Sequence, residues 1–345
     1  MRTIWFACAL ALATVFAGQP AVAAGEKLII SAWGGSWKEM VAKSAAKRFT
    51  EETGVEVEII SGGTIDRLNK AKLAKGDPES DLTLTTSHVG WLYQNDGLFE
   101  TLDYSRIPNA KNIFPEAKIS PGHVGVWSYV YTIGYNPNLV PDDVKFESWE
   151  DLWNPKLKGM IALPDFDPSH IITVAAILSG GSAENWEVGQ DKLMALKPNI
   201  KAFYTNDASS QQMMASGESP VQVLLSGNAF HQMDQGVPIK LVIPKEGAIV
   251  GIDAIGIMKG TKHLDWAYQF INAALDPESQ AFVTEFKKLG PMNPATKVDP
   301  AIAALPGVFT TAQQWSEDAL IIDHKLRAEK LGEWKQWFAE NMIGQ

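Results

Sequence analysis

The chain reads as an α/β protein of two lobes, each a largely parallel sheet flanked by helices. Three observations predict this. Its 345 residues suffice for two sizeable cores. Three strand–loop–helix units follow one another from residue 28 to residue 95, and helix–strand alternation resumes between 168 and 244. A long apolar strand at 125–133 lies between these blocks, and no repeat, low-complexity tract or long linker separates them. Lobes joined by crossing strands fit this better than two beads on a string. The expected division is 25–127 plus 254–298 for the first lobe and 128–253 plus 299–345 for the second.

The first residues read as an export signal. Arg2 precedes an apolar run from Ile4 to Phe16, and Ala21-Val22-Ala23-Ala24 offers small residues for cleavage, so 1–24 is expected to be removed. The run is shorter than the ~20 residues a spanning helix needs. Residues 28–33 form a strand broken by Gly34-Gly35-Ser36, and 37–52 carries apolar residues at a helical period (Met40, Val41, Ala45, Phe49). Residues 55–60 alternate as a second strand before Ser61-Gly62-Gly63 and a helix over 64–75; 81–86 is a third, followed by a helix to Asn95. In such sheets ligands sit at the carboxyl ends of the strands, where the loops 33–36, 61–64 and 86–88 converge.

Further on, Asn136-Pro137-Asn138 turns the chain. Ser148 stands before Glu150 and Asp151 as an N-cap with acids at the helix's positive end, and Pro155 stops that helix. A short apolar strand, 160–163, then delivers Pro164-Asp165. Residues 221–226, 239–243 and 249–257 are expected strands, and 263–275 and 277–288 are helices. The end of the chain is helical from Trp315, with Trp334 and Trp337 on one apolar stripe as core residues.

The stretch YNPNLVPDDVKFESWEDLWNPKLKGMIALPD (135–165), with KEGAIVGIDAIGIMKG (245–260) and HLDWAYQFINAALDPESQAFV (263–283), resembles the periplasmic solute-binding proteins of spermidine/putrescine-type ABC importers. The resemblance spans most of the mature chain. It implies the two-lobe periplasmic-binding-protein fold, with a ligand cleft between the lobes, and a periplasmic component that captures a small solute by hinge closure. It also implies an inner-membrane ABC permease as the docking partner, and no enzyme activity.

By the same resemblance, the acid of the segment holding Asp253 binds an amine of the ligand. That assignment agrees with a carboxylate placed among apolar neighbours, where it needs a compensating charge. Trp33 matches an aromatic that can stack on the ligand. Gly35 and Ser36 open a helix whose free N–H groups can receive an anion, and Thr86, Ser87 and His88 follow the third strand. Asp165 and Asp167 follow the first strand of the second lobe, where they can bind a second amine or simply cap a helix. Ser226 and Asn228 end a second-lobe strand, and Tyr204 completes the candidate set. The family's aromatic two places before the acid is Gly251 here, and another expected aromatic is Leu225. Because such rings hold a polyamine's methylenes and ammonium groups, the expected ligand widens to an amine-bearing solute: polyamine, amino acid or opine-like.

Composition bounds the other classes. The single cysteine, Cys8, falls in the signal segment, so the mature chain offers no disulfide, Cys–metal site or Cys nucleophile. Loss of Arg2 takes the formal charge from −10 to −11, which with no basic cluster argues against nucleic acid or anionic membrane as partner. The six histidines, at 88, 123, 170, 231, 263 and 324, show no metal-ligand spacing. No nucleophile elbow or phosphate loop is present, so no catalytic residue, metal or cofactor is expected. The mature protein is expected to be periplasmic, monomeric and not membrane-inserted. The alternatives are the same fold for a non-amine solute or metal ion, or a secreted hydrolase built on Asp165 and Asp167.

Overall fold

The computed structural model describes residues 25–74 and 76–344; the leader read from 1–24, with Cys8, lies outside the described residues. Its strands are β1 (Lys27–Ala32), β2 (Glu56–Ser61), β3 (Leu82–Thr86), β4 (His123–Tyr135), β5 (Ile161–Pro164), β6 (Ile200–Tyr204), β7 (Val221–Leu225), β8 (Lys240–Val242), β9 (Ala248–Ile257), β10 (Gly290–Pro291) and β11 (Ala319–Leu320). β2, β1 and β3 pair in parallel, as do β7, β5 and β6. The two trios are not separate sheets. The order β2-β1-β3-β9-β4-β7-β5-β6 makes one continuous hydrogen-bonded path, because the long strands β9 and β4 run antiparallel to each other and to their neighbours.

The buried apolar residues nonetheless fall into two large clusters. One gathers β1, β3, much of β9 and the helix Leu264–Ala274, with Phe49, Phe270 and Trp127. The other gathers β5, β7 and the helix Ser169–Leu178, with Trp149, Trp186 and Trp334. They meet within single strands: Val130 and Val250 belong to the first, Tyr131 and Ile249 to the second. Phe309 and Trp315, expected in the second lobe, pack in the first cluster, and the chain passes to the second within β11, where Ala319 still packs against the first and Leu320 against the second. No apolar run marks this passage, so the sequence placed it too early.

The helix expected after Ser148 is a short 3₁₀ helix, Trp149–Trp153, capped as the sequence required. Ser148 Oγ accepts from the Glu150 N–H (3.1 Å), while Asp151 reaches back to the Ser148 N–H (2.9 Å). Glu246 adds acceptors for the Ser148 hydroxyl (2.6 Å) and the Trp149 N–H (3.1 Å), and the Trp149 indole donates to Gly247 O (2.8 Å). The Glu-Gly pair thus clamps this segment to the entry of β9. Gly247 sits at φ +93°, a left-handed conformation that side chains disfavour.

At the carboxyl end, Trp334 is fully buried and Trp337 packs against the same cluster, in edge contact with Trp186 at 5.5 Å. Their helix, His324–Phe338, lies against the helix Ser87–Asn95 of the first trio and so braces the clusters together. Among the described residues no helix is long and apolar enough to cross a membrane.

Candidate functional site

Where the two clusters face each other, the carboxyl ends of β1, β3 and β7 and the middle of β4 and β9 open on a cleft of about 240 Å³. Its floor is acidic and its walls aromatic. Asp253 and Thr86 come from the first trio's side and Asp207 from the second; Trp33, Trp37, Tyr129, Tyr131 and Phe166 supply the rings. Thr64 and Leu225 complete the lining.

Sheet register explains why these side chains meet. Thr86 and Trp127 both stand opposite Asp253, one on each neighbouring strand, and cross-strand partners project to the same face. The Trp127 indole donates to Asp253 Oδ2 (2.8 Å), and the Tyr129 hydroxyl lies 3.4 Å from Oδ1. Burial is the dominant influence on Asp253 and raises its pKa to about 7, against the two hydrogen bonds and the distant Arg67 charge, which pull it down. No cation comes within ion-pair distance of it among the described residues. A carboxylate so placed is a strong acceptor that lacks a counter-charge.

The same register resolves the two departures from the aromatic pattern. Gly251 stands opposite Tyr129 on β4, and Leu225 stands opposite Tyr131. A Cβ at Gly251 would lie 2.0 Å from a Tyr129 ring carbon, so the tyrosine ring fills the space an aromatic at 251 would take. The wall is intact; its rings come from β4. Tyr129 and Tyr131 are in edge contact at 6.2 Å. On the other wall, Trp33 and Trp37 meet at 5.8 Å, and Trp37 stacks on Trp127 at 6.3 Å. The Trp33 indole donates to Thr64 Oγ1 (2.9 Å), and the Arg67 guanidinium lies 5.2 Å from the Trp33 ring. Arg67 is held by backbone carbonyls of Gly62 and Leu84.

Of the twelve residues the sequence singled out, the cleft gathers Asp253, Trp33 and Thr86. Gly35 and Ser36 lie exposed at the start of the helix Ser36–Val41, next to the cleft's Trp37 but not in its lining. Asn228 lines an adjoining depression that shares Trp37 and Leu225 with the cleft. Asp165 is partly exposed, and burial raises its pKa.

Five candidates hold the scaffold instead. Tyr204 is buried and donates to Val223 O (2.6 Å). Ser226 Oγ accepts from the Val130 N–H (3.3 Å). Ser87 hydrogen-bonds the His324 ring (3.0 Å). Asp167 is buried in an ion pair with Arg327 (2.5 Å), which also lies 3.0 Å from His170. Burial opposes ionisation of Asp167, but Arg327, with help from His170, His88 and Ser169, holds its carboxyl well below the usual range. His88, 4.0 Å from Asp167, is kept neutral first by burial and then by Arg327. The Asp167 carboxylate is thus already satisfied by a partner 160 residues away in sequence, which no local pattern announces. The histidines read as scattered converge here: His88, His170 and His324 surround Arg327. Among the described residues no group of three or more His, Cys, Asp or Glu side chains could hold a metal ion.

Sequence reasoning missed Asp207, Trp37, Thr64, Tyr129, Tyr131 and Phe166. Asp207 sits in the first turn of the helix Asp207–Ser216, which Asn206 caps by accepting from the Ser209 N–H (3.0 Å). Read alone, Asn206-Asp207 is only a helix start. Tyr129 and Tyr131 carried a usable signal, since residues two apart on a strand share a face.

A two-lobe fold with an aromatic, acid-floored cleft between the lobes defines a solute-binding protein. The chain belongs to the bacterial extracellular solute-binding protein family, which matches residues 44–310. It is 29% identical over 262 residues to the spermidine/putrescine-binding periplasmic protein of Escherichia coli K12, covering 72% of this chain and 74% of that one. Among solved structures it resembles an ABC transporter protein from Clostridium perfringens (TM-score 0.80, 27% identity, 92% and 100% coverage). It also resembles the Atu4243 GABA receptor (TM-score 0.78, 25% identity, 91% and 97% coverage). The family and the Escherichia coli relative are solute-binding proteins.

Proposed function

We propose that this chain captures a linear, amine-bearing solute outside the cytoplasmic membrane and hands it to an inner-membrane ABC permease. Asp253 receives the ligand's ammonium, and the rings of Trp33, Tyr129 and Tyr131 enclose its methylene chain. The observation that carries this is Asp253 itself: a buried carboxylate on the cleft floor, hydrogen-bonded by Trp127 and lacking a cation. A bound ammonium supplies the missing charge, by a charge-assisted hydrogen bond and by cation–π contact with the rings beside it. The relatives' names support the class: one binds spermidine and putrescine, another is a receptor for GABA, and all three ligands carry an amine.

The lobes follow the apolar clusters. They close about the strand crossings in β4, in β9 and in β11, and the closed form is stabilised by contacts from both sides of the cleft. Export through the leader at 1–24, a monomeric state and an absence of catalysis complete the reading. A thermal-shift screen of ligand-stripped mature protein tests it. Polyamines, amino acids or opines should raise the midpoint, through about 4 kcal/mol of stabilisation at a thousandfold excess over Kd. A shift produced only by sugars or metal ions would refute it.

A further inference from the structure

The cleft holds two acids, and among the described residues neither has a cation within 4.0 Å, but a lysine acts on one of them. Asp207 lies in the field of Lys287, the last residue of the helix Pro277–Lys287, and each charge acts on the other. Lys287 is half-buried. Its Nζ stands 4.6 Å from the centroid of Trp37, a ring that lines the cleft, and it borders the adjoining depression beside Leu225 and Asn228. Among the described residues no carboxylate oxygen lies within 4.0 Å of that Nζ, whereas the neighbouring Lys288 is engaged by Asp234 at 3.2 Å. Lys287 thus places on an aromatic face, beside Asp207, the ammonium that a second amine of a ligand would otherwise bring. Among the described residues none accepts a hydrogen bond from it. Asp253, across the cleft, has only the guanidinium of Arg67 in its field, and that group is tied to backbone carbonyls.

We propose that Lys287 sets the specificity of the cleft, selecting a solute with one ammonium for Asp253 and an anionic far end for Lys287 — an ω-amino acid rather than a diamine. The proposal rests on the amine-binding reading of the site. A second ammonium entering beside Lys287 meets like charge in a partly desolvated place, and like charge there is costly. A carboxylate entering there gains a charge-assisted hydrogen bond from the lysine.

Calorimetric titration of the ligand-stripped full mature chain tests this with β-alanine, γ-aminobutyrate, putrescine, cadaverine and butylamine as probes. The wild type should bind its best ω-amino acid at least about tenfold more tightly than its best diamine. Lys287→Met should reverse that order, weakening the amino acid and strengthening the diamine. Lys287→Arg should keep the wild-type order, and so shows that a change in the Met variant reports charge rather than packing. Preference of the wild type for diamines, or a ratio moved less than about twofold by Lys287→Met, overturns the proposal while leaving amine binding in place. Butylamine bound with neither amino acid nor diamine preferred also overturns it. Binding of none of the five probes overturns it together with the amine reading beneath it.

Discussion

Asp253 should make ligand affinity depend on pH near neutrality. With its pKa raised to about 7 by burial, the empty site is half protonated at neutral pH, and an ammonium must expel that proton to bind. The ligand's own amine, with a pKa of about 10, stays charged throughout. Affinity is therefore fully present above pH 7 and falls as pH drops below it. Between pH 8 and pH 6 the apparent Kd should rise about tenfold, because the fraction of ionised Asp253 falls by that factor. At neutral pH about half a proton should be released per ligand, visible in calorimetry as a heat that varies with the buffer. Asp253→Asn should flatten the profile and cost about 2–3 kcal/mol of binding, the value of a hydrogen bond to a charged group.

The empty protein should show the reverse trade. A folded-state pKa raised from 3.8 means the group's stabilisation is present at low pH and lost as pH rises through about 7. A shift of that size corresponds to about 4 kcal/mol at most, so Asp253→Asn should raise the unliganded melting midpoint at pH 8 and leave it nearly unchanged at pH 4. A pH-independent Kd in the wild type, or a variant no more stable at pH 8, would refute the assignment of an uncompensated carboxylate.

Other consequences follow from the packing. Gly251→Ala places a methyl within 2.0 Å of the Tyr129 ring and should destabilise by about 1–3 kcal/mol and weaken binding; moving the ring across strands, Tyr129→Gly with Gly251→Tyr, should recover part of the affinity in the same titration. Arg327→Met strands a buried Asp167 and should cost about 3–5 kcal/mol in chemical denaturation, most of it recovered by adding Asp167→Asn; a loss below about 1 kcal/mol would contradict the buried pair. His123, His170 and His324 are each pushed down to about 4, chiefly by burial, so their stabilisation is present above the unfolded value of 6.5 and lost as pH falls. Urea midpoints taken in the Asp253→Asn background, where the opposing titration is gone, should show a loss of up to about 2 kcal/mol per histidine between pH 6.5 and pH 5; constant stability there would contradict neutral buried rings.

What the sequence disclosed depended on how local the cause was. The strand–loop–helix units, the cap at Ser148 and the core role of Trp334 follow from residues within a turn or two and were legible. Asp253 was legible because a lone acid in an apolar strand is costly wherever it sits. The aromatic wall was half legible. Gly251 and Leu225 looked like losses, because the rings that replace them come from Tyr129 and Tyr131 across strand pairs whose register only the fold sets. Asp167 and Ser87 looked available as ligand contacts, but each is claimed by the helix His324–Phe338, far along the chain. Asp207 and Lys287 were missed for the same reason: a helix start and a helix end mean nothing to each other until the fold puts each in the other's field.

The central claim is that an ammonium pairs with Asp253 on the floor of an aromatic cleft. A crystal structure of the protein with the solute that co-purifies with it tests this most directly. The expected ligand is linear and nitrogen-bearing, with its ammonium about 3 Å from an Asp253 carboxylate oxygen, its chain between Trp33 and the two β4 tyrosines, and both lobes in contact with it. A solute without a cationic nitrogen, or an amine bound away from Asp253, would contradict it.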